Sequence, residues 1–301
     1  MKLKGTITAM ITPLIHQEID ETGLIANIQE QMSHGVDGIL VLGSTGEAAT
    51  LSQEEQKKVL SITLREAKNK TPIWVGTGTN STKTTIENTK QAKDMGADVA
   101  LIVAPYYNKP TQEGIYRHFE AITKNVEIPI VVYNISGRCG VNIETSTLER
   151  IAQLPNIRGV KEASGNVSQV GDVIQTIVKK YPDFLVFSGD DILTLPMIAL
   201  GAHGVISVAS NLIPKQVISL VREALKGDFI QARKIHQELH PFFKGIFIET
   251  NPIPIKTAMN MCGKPSGPCR LPLVELSSDN LNALRHLLSK MQLLSEREEN
   301  G

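Results

Sequence analysis

A lysine lies inside one of the apolar segments of this sequence, within Gly159-Val160-Lys161-Glu162-Ala163. Burying an ammonium group is costly unless the group is paired with a carboxylate or loses its proton. Loss of water around a lysine lowers its pKa and favours the neutral amine, the nucleophile that forms a Schiff base with a carbonyl substrate. Lys161 is therefore either a Schiff-base nucleophile or a structural lysine paired with a carboxylate. Glu162 is not that partner, because neighbouring side chains on a strand point to opposite faces.

Tyrosines are concentrated where apolar segments end. Of the five tyrosines, Tyr106, Tyr107 and Tyr133 lie at or just after such ends. A phenol near Lys161 could relay protons during imine formation, which makes Tyr133 a candidate catalytic residue. The alternative for each is a core tyrosine whose hydroxyl is satisfied by a hydrogen bond.

Two further segments could bind an anion. Residues 43–47, Gly-Ser-Thr-Gly-Glu, could turn tightly enough to expose backbone N–H groups beside the hydroxyls of Ser44 and Thr45. Taken alone, this segment favours a plainer interpretation, a turn before a helix in which the glycines only satisfy backbone geometry. Arg138 could clamp a carboxylate through two parallel hydrogen bonds, although an arginine among turn-forming residues is more often solvated.

The sequence has no pattern typical of a metal site. The three cysteines form no CxxC pair, and we expect Cys139, Cys262 and Cys269 to be inert. His118 and His203 have no partner at the spacing of metal ligands. We therefore expect a protein that works without a metal.

The candidate residues are distributed over a regular alternation of segments. Short runs rich in Val, Ile and Leu alternate with longer amphipathic stretches, as in parallel strands covered by helices. The eight runs cover residues 5–13, 38–45, 72–78, 98–105, 128–135, 157–164, 184–190 and 204–210. Eight such units predict an α/β fold, a (β/α)8 TIM barrel over residues 1–225, with functional groups at the C-terminal ends of its strands. A doubly wound sheet is the rival fold, but no glycine-rich phosphate loop follows the first run.

Residues 226–301 contain no strand-like run. Their pattern predicts helices that are interrupted at Asn251-Pro252-Ile253-Pro254 and across residues 263–272, which are rich in helix-ending residues. Because no low-complexity linker precedes this part, we expect a C-terminal helical extension packed on the barrel rather than an independent domain.

Charge and hydropathy argue against several classes of protein. Lys+Arg and Asp+Glu both number 31 among the 301 residues, so the chain lacks the basic excess typical of nucleic-acid binding. No apolar run approaches the roughly 20 residues that cross a bilayer, and the N-terminus lacks a signal-peptide pattern. Sparse cysteines favour a reducing compartment, so we expect a cytoplasmic protein that binds neither membrane nor nucleic acid. Zero net charge leaves self-association open.

Six motifs in this order resemble the pyruvate-dependent lyase and aldolase superfamily and, within it, the dihydrodipicolinate synthase family. Each motif alone is weakly specific, whereas their joint order and spacing, from about residue 5 to about residue 273, are strongly specific. The motifs are Gly43-Ser44-Thr45-Gly46-Glu47, Pro105-Tyr106-Tyr107-Asn108, Tyr133-Asn134 with Arg138, Gly159-Val160-Lys161-Glu162-Ala163-Ser164-Gly165, Ser188-Gly189-Asp190-Asp191 and His203-Gly204-Val205-Ile206-Ser207.

The resemblance implies a lyase that condenses pyruvate with L-aspartate 4-semialdehyde in diaminopimelate and lysine biosynthesis. Lys161 would form an imine with pyruvate. The hydroxyls of Ser44, Tyr107 and Tyr133 would relay protons, that of Tyr107 across a subunit contact. No metal or organic cofactor is implied, because the lysine itself serves as the electron sink.

The same resemblance assigns the substrate-binding residues and an assembly. Thr45 would bind the pyruvate carboxylate, and Arg138 would receive the carboxylate of the aldehyde substrate. Ile206 also belongs to the implied substrate site. The implied assembly is a homotetramer built from two tight dimers.

Three positions depart from the family pattern. Ser44 stands where threonine is usual but keeps the hydroxyl, while Ser136 replaces a usual proline and Cys139 a common threonine. Ser-Thr at positions 44 and 45 is also common in the sialic acid lyases, so an aldolase acting on a sialic acid or a 2-keto-3-deoxy sugar acid is the first alternative. Arg138 favours the synthase, because the sialic acid lyases lack an arginine there. A catalytically silent barrel that binds a small molecule is the second alternative.

In regulated members of the family, L-lysine binds at the tight dimer contact. The matching positions are Ala48, Ala49, Gln53, Gln56, Asn80, Thr84 and Tyr106. Thr84 replaces the glutamate that pairs with the ammonium group of the bound lysine. Because an unpaired, desolvated ammonium is costly, we expect inhibition by L-lysine to be weak or absent.

Overall fold

The computed structural model describes residues 3–294. Eight parallel strands close into a barrel in which each strand pairs with its neighbours along the chain and the first pairs with the last. This arrangement confirms the predicted (β/α)8 barrel. The barrel strands are β1 (Gly5–Ala9), β4 (Gly38–Val41), β5 (Ile73–Gly76), β6 (Val99–Val103), β7 (Ile130–Asn134), β8 (Ile157–Glu162), β9 (Leu185–Ser188) and β10 (Gly204–Ser207), and an unpredicted hairpin consists of β2 (Leu14–Ile15) and β3 (Glu18–Ile19).

Helices follow the strands and surround the barrel. Ser52, Ser81 and Thr111 each accept a hydrogen bond from a first-turn N–H and so begin a helix. Gly35 and Gly96 end two helices in the left-handed conformation, which glycine adopts at little cost. The helices are α1 (Glu21–His34), α2 (Gln53–Ala67), α3 (Thr82–Met95), α4 (Gln112–Asn125), α5 (Ser136–Cys139), α6 (Thr145–Ala152), α7 (Val167–Val173), α8 (Thr194–Ala199), α9 (Pro214–Lys226), α10 (Phe229–Gly245), α11 (Ile253–Met261) and α12 (Ser278–Lys290).

Every strand ends earlier than its apolar run predicts. In β4 the ladder stops at Val41, and Leu42 takes a positive φ of 59°, which turns the chain towards the barrel axis. Glycine at position 76 lets this turn lie close against the end of β5, because a Cβ at this position would be only 2.1 Å from the Leu42 carbonyl oxygen. The residues beyond the strand ends leave the ladder and become available to line a cavity.

The barrel interior is filled by apolar side chains. Trp74 and Phe187 are fully buried and meet edge to face, with ring centroids 5.4 Å apart. The filled interior seals the N-terminal end of the barrel, so a cavity can open only towards the C-terminal end.

The part that follows α9 is helical, as the sequence predicts. Helix α10 packs on α9, and α11 contributes the buried Lys256, which binds Glu47 of the loop after β4 with Nζ–Oε1 at 2.6 Å. The predicted extension reaches residue 301, of which residues 295–301 lie outside the described residues. Within residues 3–294, no helix has both the length and the apolar character needed to cross a membrane.

Candidate functional site

A cavity of about 420 Å³ opens at the C-terminal ends of the barrel strands. Its walls include Ser44, Thr45, Tyr133, Arg138 and Lys161, which are far apart in the sequence. This volume is within the range typical of small-molecule sites. The fold thus brings most of the predicted site residues to one place.

Lys161 projects from β8 into this cavity. It pairs in register with Tyr133 of β7, and its Nζ lies 4.2 Å from the centre of the Tyr133 ring. Within residues 3–294 Lys161 Nζ has no hydrogen-bond acceptor and no ion-pair partner; Asp191 acts on it only as a neighbouring charge. The pKa of Lys161 is lowered to about 7, mainly by burial; the nearby Asp191 opposes this shift and Arg138 adds to it. A substantial fraction of the side chain is therefore the neutral amine near neutral pH.

Glu162, which follows Lys161 in the sequence, is bonded on the other face of the strand, as the alternation of strand side chains predicts. Glu162 is buried on the outer face of β8, where Asn134 Nδ2 donates to it at 2.9 Å. Gln169 Nε2 also donates to Glu162 at 3.2 Å, and the Ser164 N–H donates at 2.8 Å. The carboxylate next to Lys161 in sequence is thus satisfied elsewhere.

Glycine at position 189 makes room for the lysine side chain. A Cβ there would lie 2.9 Å from Lys161 Cε and 2.6 Å from the Ala163 Cβ. Contacts this short force a neighbour to move, so any larger residue would displace the Lys161 stem. Gly189 belongs to the Ser188-Gly189-Asp190-Asp191 motif, but the sequence gives no sign that it makes room for Lys161.

Tyr133 lies beside the lysine with a protonated phenol. Burial raises the pKa of Tyr133 well above its usual value, and a hydrogen bond from Ser44 partly offsets that effect. The phenol and the Ser44 hydroxyl can pass a proton between them while remaining neutral.

Arg138 and Thr45 are connected through a residue of the C-terminal part. Arg138 Nη2 donates to the backbone carbonyl of Asn251 at 2.9 Å, and Asn251 Nδ2 donates to Thr45 Oγ1 at 3.0 Å. Asn251 also lines the cavity. Sequence reasoning marked Asn251 only as a helix interruption, since nothing in one sequence indicates which distant loop it meets.

Asp191 anchors the loop that follows β10. Its carboxylate accepts hydrogen bonds from Ser207 Oγ at 2.5 Å and from the N–H groups of Val208 and Ala209 at 2.9 and 3.1 Å. Burial raises the pKa of Asp191 to about 6, although these donors favour the charged form. The loop that carries Val208 to the cavity is thereby fixed to the loop after β9.

Two predicted site residues lie apart from the cavity of their own chain. Tyr107 is 88% exposed, with a φ of 72°, and does not line the cavity. The Ile206 side chain is fully buried in the barrel interior and does not line it either.

The three cysteines, His118 and His203 are neutral near pH 7. Cys139, Cys262 and Cys269 are free, and burial raises the pKa of these thiols to about 11, 11 and 12. Burial lowers the pKa of His118 and of His203 to about 4. Among residues 3–294, no group of three or more His, Cys, Asp or Glu side chains could hold a metal ion.

The chain is similar to a well-populated group of enzymes. The model of the dihydrodipicolinate synthetase family matches residues 2–291. The chain is 54% identical over 292 residues to the 4-hydroxy-tetrahydrodipicolinate synthase of Protochlamydia amoebophila, with 97% of each chain covered. It superposes on dihydrodipicolinate synthase from Aquifex aeolicus with a TM-score of 0.95 at 45% identity, covering 98% of this chain and 100% of the other. The Acinetobacter baumannii enzyme complexed with pyruvate gives a TM-score of 0.94 at 39% identity, covering 97% and 100%.

Proposed function

The chain belongs to the dihydrodipicolinate synthetase family, and from this premise we propose which residues carry out its reaction. Its activity is that of a 4-hydroxy-tetrahydrodipicolinate synthase, a carbon–oxygen lyase of diaminopimelate and lysine biosynthesis. The substrates are pyruvate and L-aspartate 4-semialdehyde. The observation that carries the residue assignment is a buried lysine without a partner among the described residues, set in the wall of a cavity beside an arginine.

The first half of the reaction joins Lys161 to pyruvate. The neutral amine attacks the ketone carbon, and loss of water leaves an imine. The Tyr133 phenol and the Ser44 hydroxyl carry protons to the departing water and from the attacking nitrogen. The Thr45 hydroxyl binds the pyruvate carboxylate from the adjacent wall.

The second half joins the two substrates. Loss of a methyl proton converts the imine to an enamine, whose carbon attacks the aldehyde while Arg138 holds the carboxylate of that substrate. The aldehyde C=O π bond opens, its oxygen takes up a proton to become the product hydroxyl, and the imine is restored. The substrate amine then attacks the imine carbon and expels the Lys161 amine, so the ring closes as the enzyme is regenerated. No metal and no organic cofactor enter these steps.

Tyr107 and Ile206 complete the proposed site in different ways. The Tyr107 phenol reaches a cavity only from a second subunit, and its 88% exposure and strained backbone support this assignment. Ile206 has its side chain in the core, so its substrate contact is through the backbone at the C-terminal end of β10.

The assembly and location belong to the same proposal. We infer a homotetramer of two tight dimers, supported by exposed Tyr106 and Tyr107 at the cavity side. We infer a cytoplasmic enzyme that binds neither membrane nor nucleic acid, in line with three free thiols and a balanced charge. The division into a barrel at residues 1–225 and an extension at residues 226–301 belongs to the same proposal; Lys256 and Asn251 support it, because both bond into the loop after β4.

An assay of pyruvate-dependent consumption of aspartate semialdehyde tests the function. We expect Arg138→Ala to lose about 100-fold or more in kcat/KM for the semialdehyde, since it loses a charge-assisted bidentate contact, while pyruvate is still trapped on the enzyme by borohydride. Arg117→Ala, which removes an arginine exposed on α4, is the matched control. Wild-type kinetics for Arg138→Ala, or cleavage of a sialic acid by the wild type, would favour the aldolase alternative.

A further inference from the structure

Asn251 lies between the two groups that receive substrate carboxylates. It is 6% exposed and immediately precedes Pro252 at the start of α11, in the C-terminal extension. Its side-chain Nδ2 lies 3.0 Å from Thr45 Oγ1, and its backbone oxygen accepts from Arg138 Nη2 at 2.9 Å. One residue outside the barrel thus contacts both groups.

The direction of the hydrogen bond to Thr45 matters for binding an anion. An amide N–H can only donate, so the Thr45 oxygen accepts and its own proton stays free to be donated elsewhere. If the carboxamide were reversed, the Thr45 hydroxyl would donate to Asn251 and would present lone pairs to an incoming carboxylate.

In the structure the carboxamide has the orientation that frees this proton, with Nδ2 towards Thr45. Asn251 Oδ1 is buried without a hydrogen-bond partner among the described residues. Reversal would pair this oxygen with the Thr45 hydroxyl, but it would remove the donor that faces Thr45 Oγ1. The buried, unpartnered oxygen beside the cavity is therefore the cost of keeping Nδ2 towards Thr45.

We propose that Asn251 is a positioning residue that sets the Thr45 hydroxyl as a donor to the pyruvate carboxylate and fixes Arg138 through its backbone. This inference rests on the proposed function, in which Thr45 binds that carboxylate. The helical extension is therefore part of the substrate-binding machinery and not only a cover for the barrel.

Two substitutions separate positioning from packing. Asn251→Ala removes the donor, and we expect the pyruvate KM to rise about tenfold, the scale of one hydrogen bond. Asn251→Asp keeps the shape but accepts the Thr45 proton, and we expect a rise on the order of 100-fold. In both variants we expect kcat at saturating pyruvate to stay within about threefold of the wild type. The lost hydrogen bond stabilises bound pyruvate and the transition state equally, so its loss changes KM and not kcat. A purely structural role predicts the opposite order, since aspartate fills the space and alanine leaves a cavity.

The double variants with Thr45→Val test whether the effect passes through Thr45. In that background we expect Asn251→Asp and Asn251→Ala to bind pyruvate equally, because no hydroxyl remains to orient. A difference in pyruvate affinity between these two double variants would mean that the aspartate charge acts on pyruvate directly, which overturns the proposal. Asn260→Asp is the matched control, since Asn260 lies on α11 and bonds only to the backbone of Gly267; we expect its pyruvate KM to match the wild type.

Pyruvate affinity is measured by the concentration dependence of borohydride trapping as well as by KM. Failure of the wild type to trap pyruvate would overturn the proposed function and the positioning role with it. Trapping in the wild type with unchanged affinity in both Asn251 variants, or a larger defect in Asn251→Ala than in Asn251→Asp, would overturn the positioning role alone.

Discussion

Two buried lysines of this protein have opposite surroundings. Lys256 of the extension is 1% exposed and is fully satisfied: its Nζ donates to Glu47 Oε1 at 2.6 Å, to the Thr12 carbonyl at 3.1 Å and to the Pro268 carbonyl at 2.8 Å. Lys161 of the barrel is 6% exposed; its Nζ lies 4.2 Å from the centre of the Tyr133 ring and has no hydrogen-bond acceptor among residues 3–294. The two side chains are buried to nearly the same extent, so what distinguishes them is their hydrogen-bond partners.

The comparison shows that burial alone does not create a nucleophile. Three acceptors around Lys256 fix a charged group as a structural link between α11 and the loop after β4. Lys161 has no acceptor among the described residues to hold its proton, and burial lowers its pKa to about 7. Under the proposed assignment, the same type of side chain is a structural tie in one region and the nucleophile in the other.

The largest effect follows from removing the unpartnered lysine. We expect Lys161→Met to lose at least about 10⁴-fold in kcat, because no covalent intermediate can form. Its thermal midpoint should equal or exceed that of the wild type, because the change removes a desolvated charge and leaves no partner unpaired. Steady-state kinetics and calorimetry together check this; a large loss of stability would contradict the absence of structural pairing.

Removing the satisfied lysine should have the opposite outcome. Lys256→Met leaves Glu47 buried without its counter-ion, and we expect a loss of about 3–5 kcal/mol in the free energy of unfolding. The folded fraction should still trap pyruvate at Lys161. Denaturant unfolding measures the loss, and adding Glu47→Gln should recover part of it by removing the orphaned charge. No loss in Lys256→Met would show that the pair is not structural.

The pH dependence of imine formation reports the surroundings of Lys161. A lowered pKa places the neutral amine at lower pH, so the rate should rise about tenfold per pH unit up to about 7 and then level off. Rapid mixing with pyruvate and quenching with borohydride at each pH gives the profile. A midpoint near the ordinary lysine value of about 10.4 would mean that Lys161 is held charged in the free enzyme.

L-Lysine in solution extends the comparison to a third ammonium group. The positions matching the regulatory pocket offer no acidic side chain at Thr84, whose hydroxyl donates to Ser81 Oγ at 3.0 Å. The nearby Glu47 is already held by Lys256. We therefore expect half-inhibition only above about 1 mM, since the missing carboxylate costs several kcal/mol of binding. Titration of the condensation rate at sub-saturating pyruvate checks this, and inhibition at lower concentrations would show that another group pairs with the ligand.

The sequence was sufficient to predict the barrel and to place Lys161 in one of its strands. Strand periodicity and the position of Lys161 inside an apolar run are local signals, and the structure confirms the fold that they predict. The ends of the strands were placed too late, because the predicted runs included residues such as 42–45, which leave the ladder and line the cavity.

The contacts that the extension makes with the loop after β4 could not be predicted from the sequence. Asn251 and Lys256 act on Thr45 and Glu47 across more than 200 positions of the chain, at sequence separations of 206 and 209. Neither has a neighbouring residue that indicates its partner. Contacts of this kind depend on how α11 docks on the barrel, which hydrophobic periodicity alone does not determine.

The most direct test of the contrast between the two lysines is a covalent label. The enzyme is incubated with pyruvate and borohydride, digested, and mapped by mass spectrometry. We predict one reduced pyruvyl group per chain, located at Lys161, with Lys256 unmodified. A label at any other lysine, or no label in an enzyme that still consumes aspartate semialdehyde, would contradict the assignment of Lys161 as the Schiff-base residue.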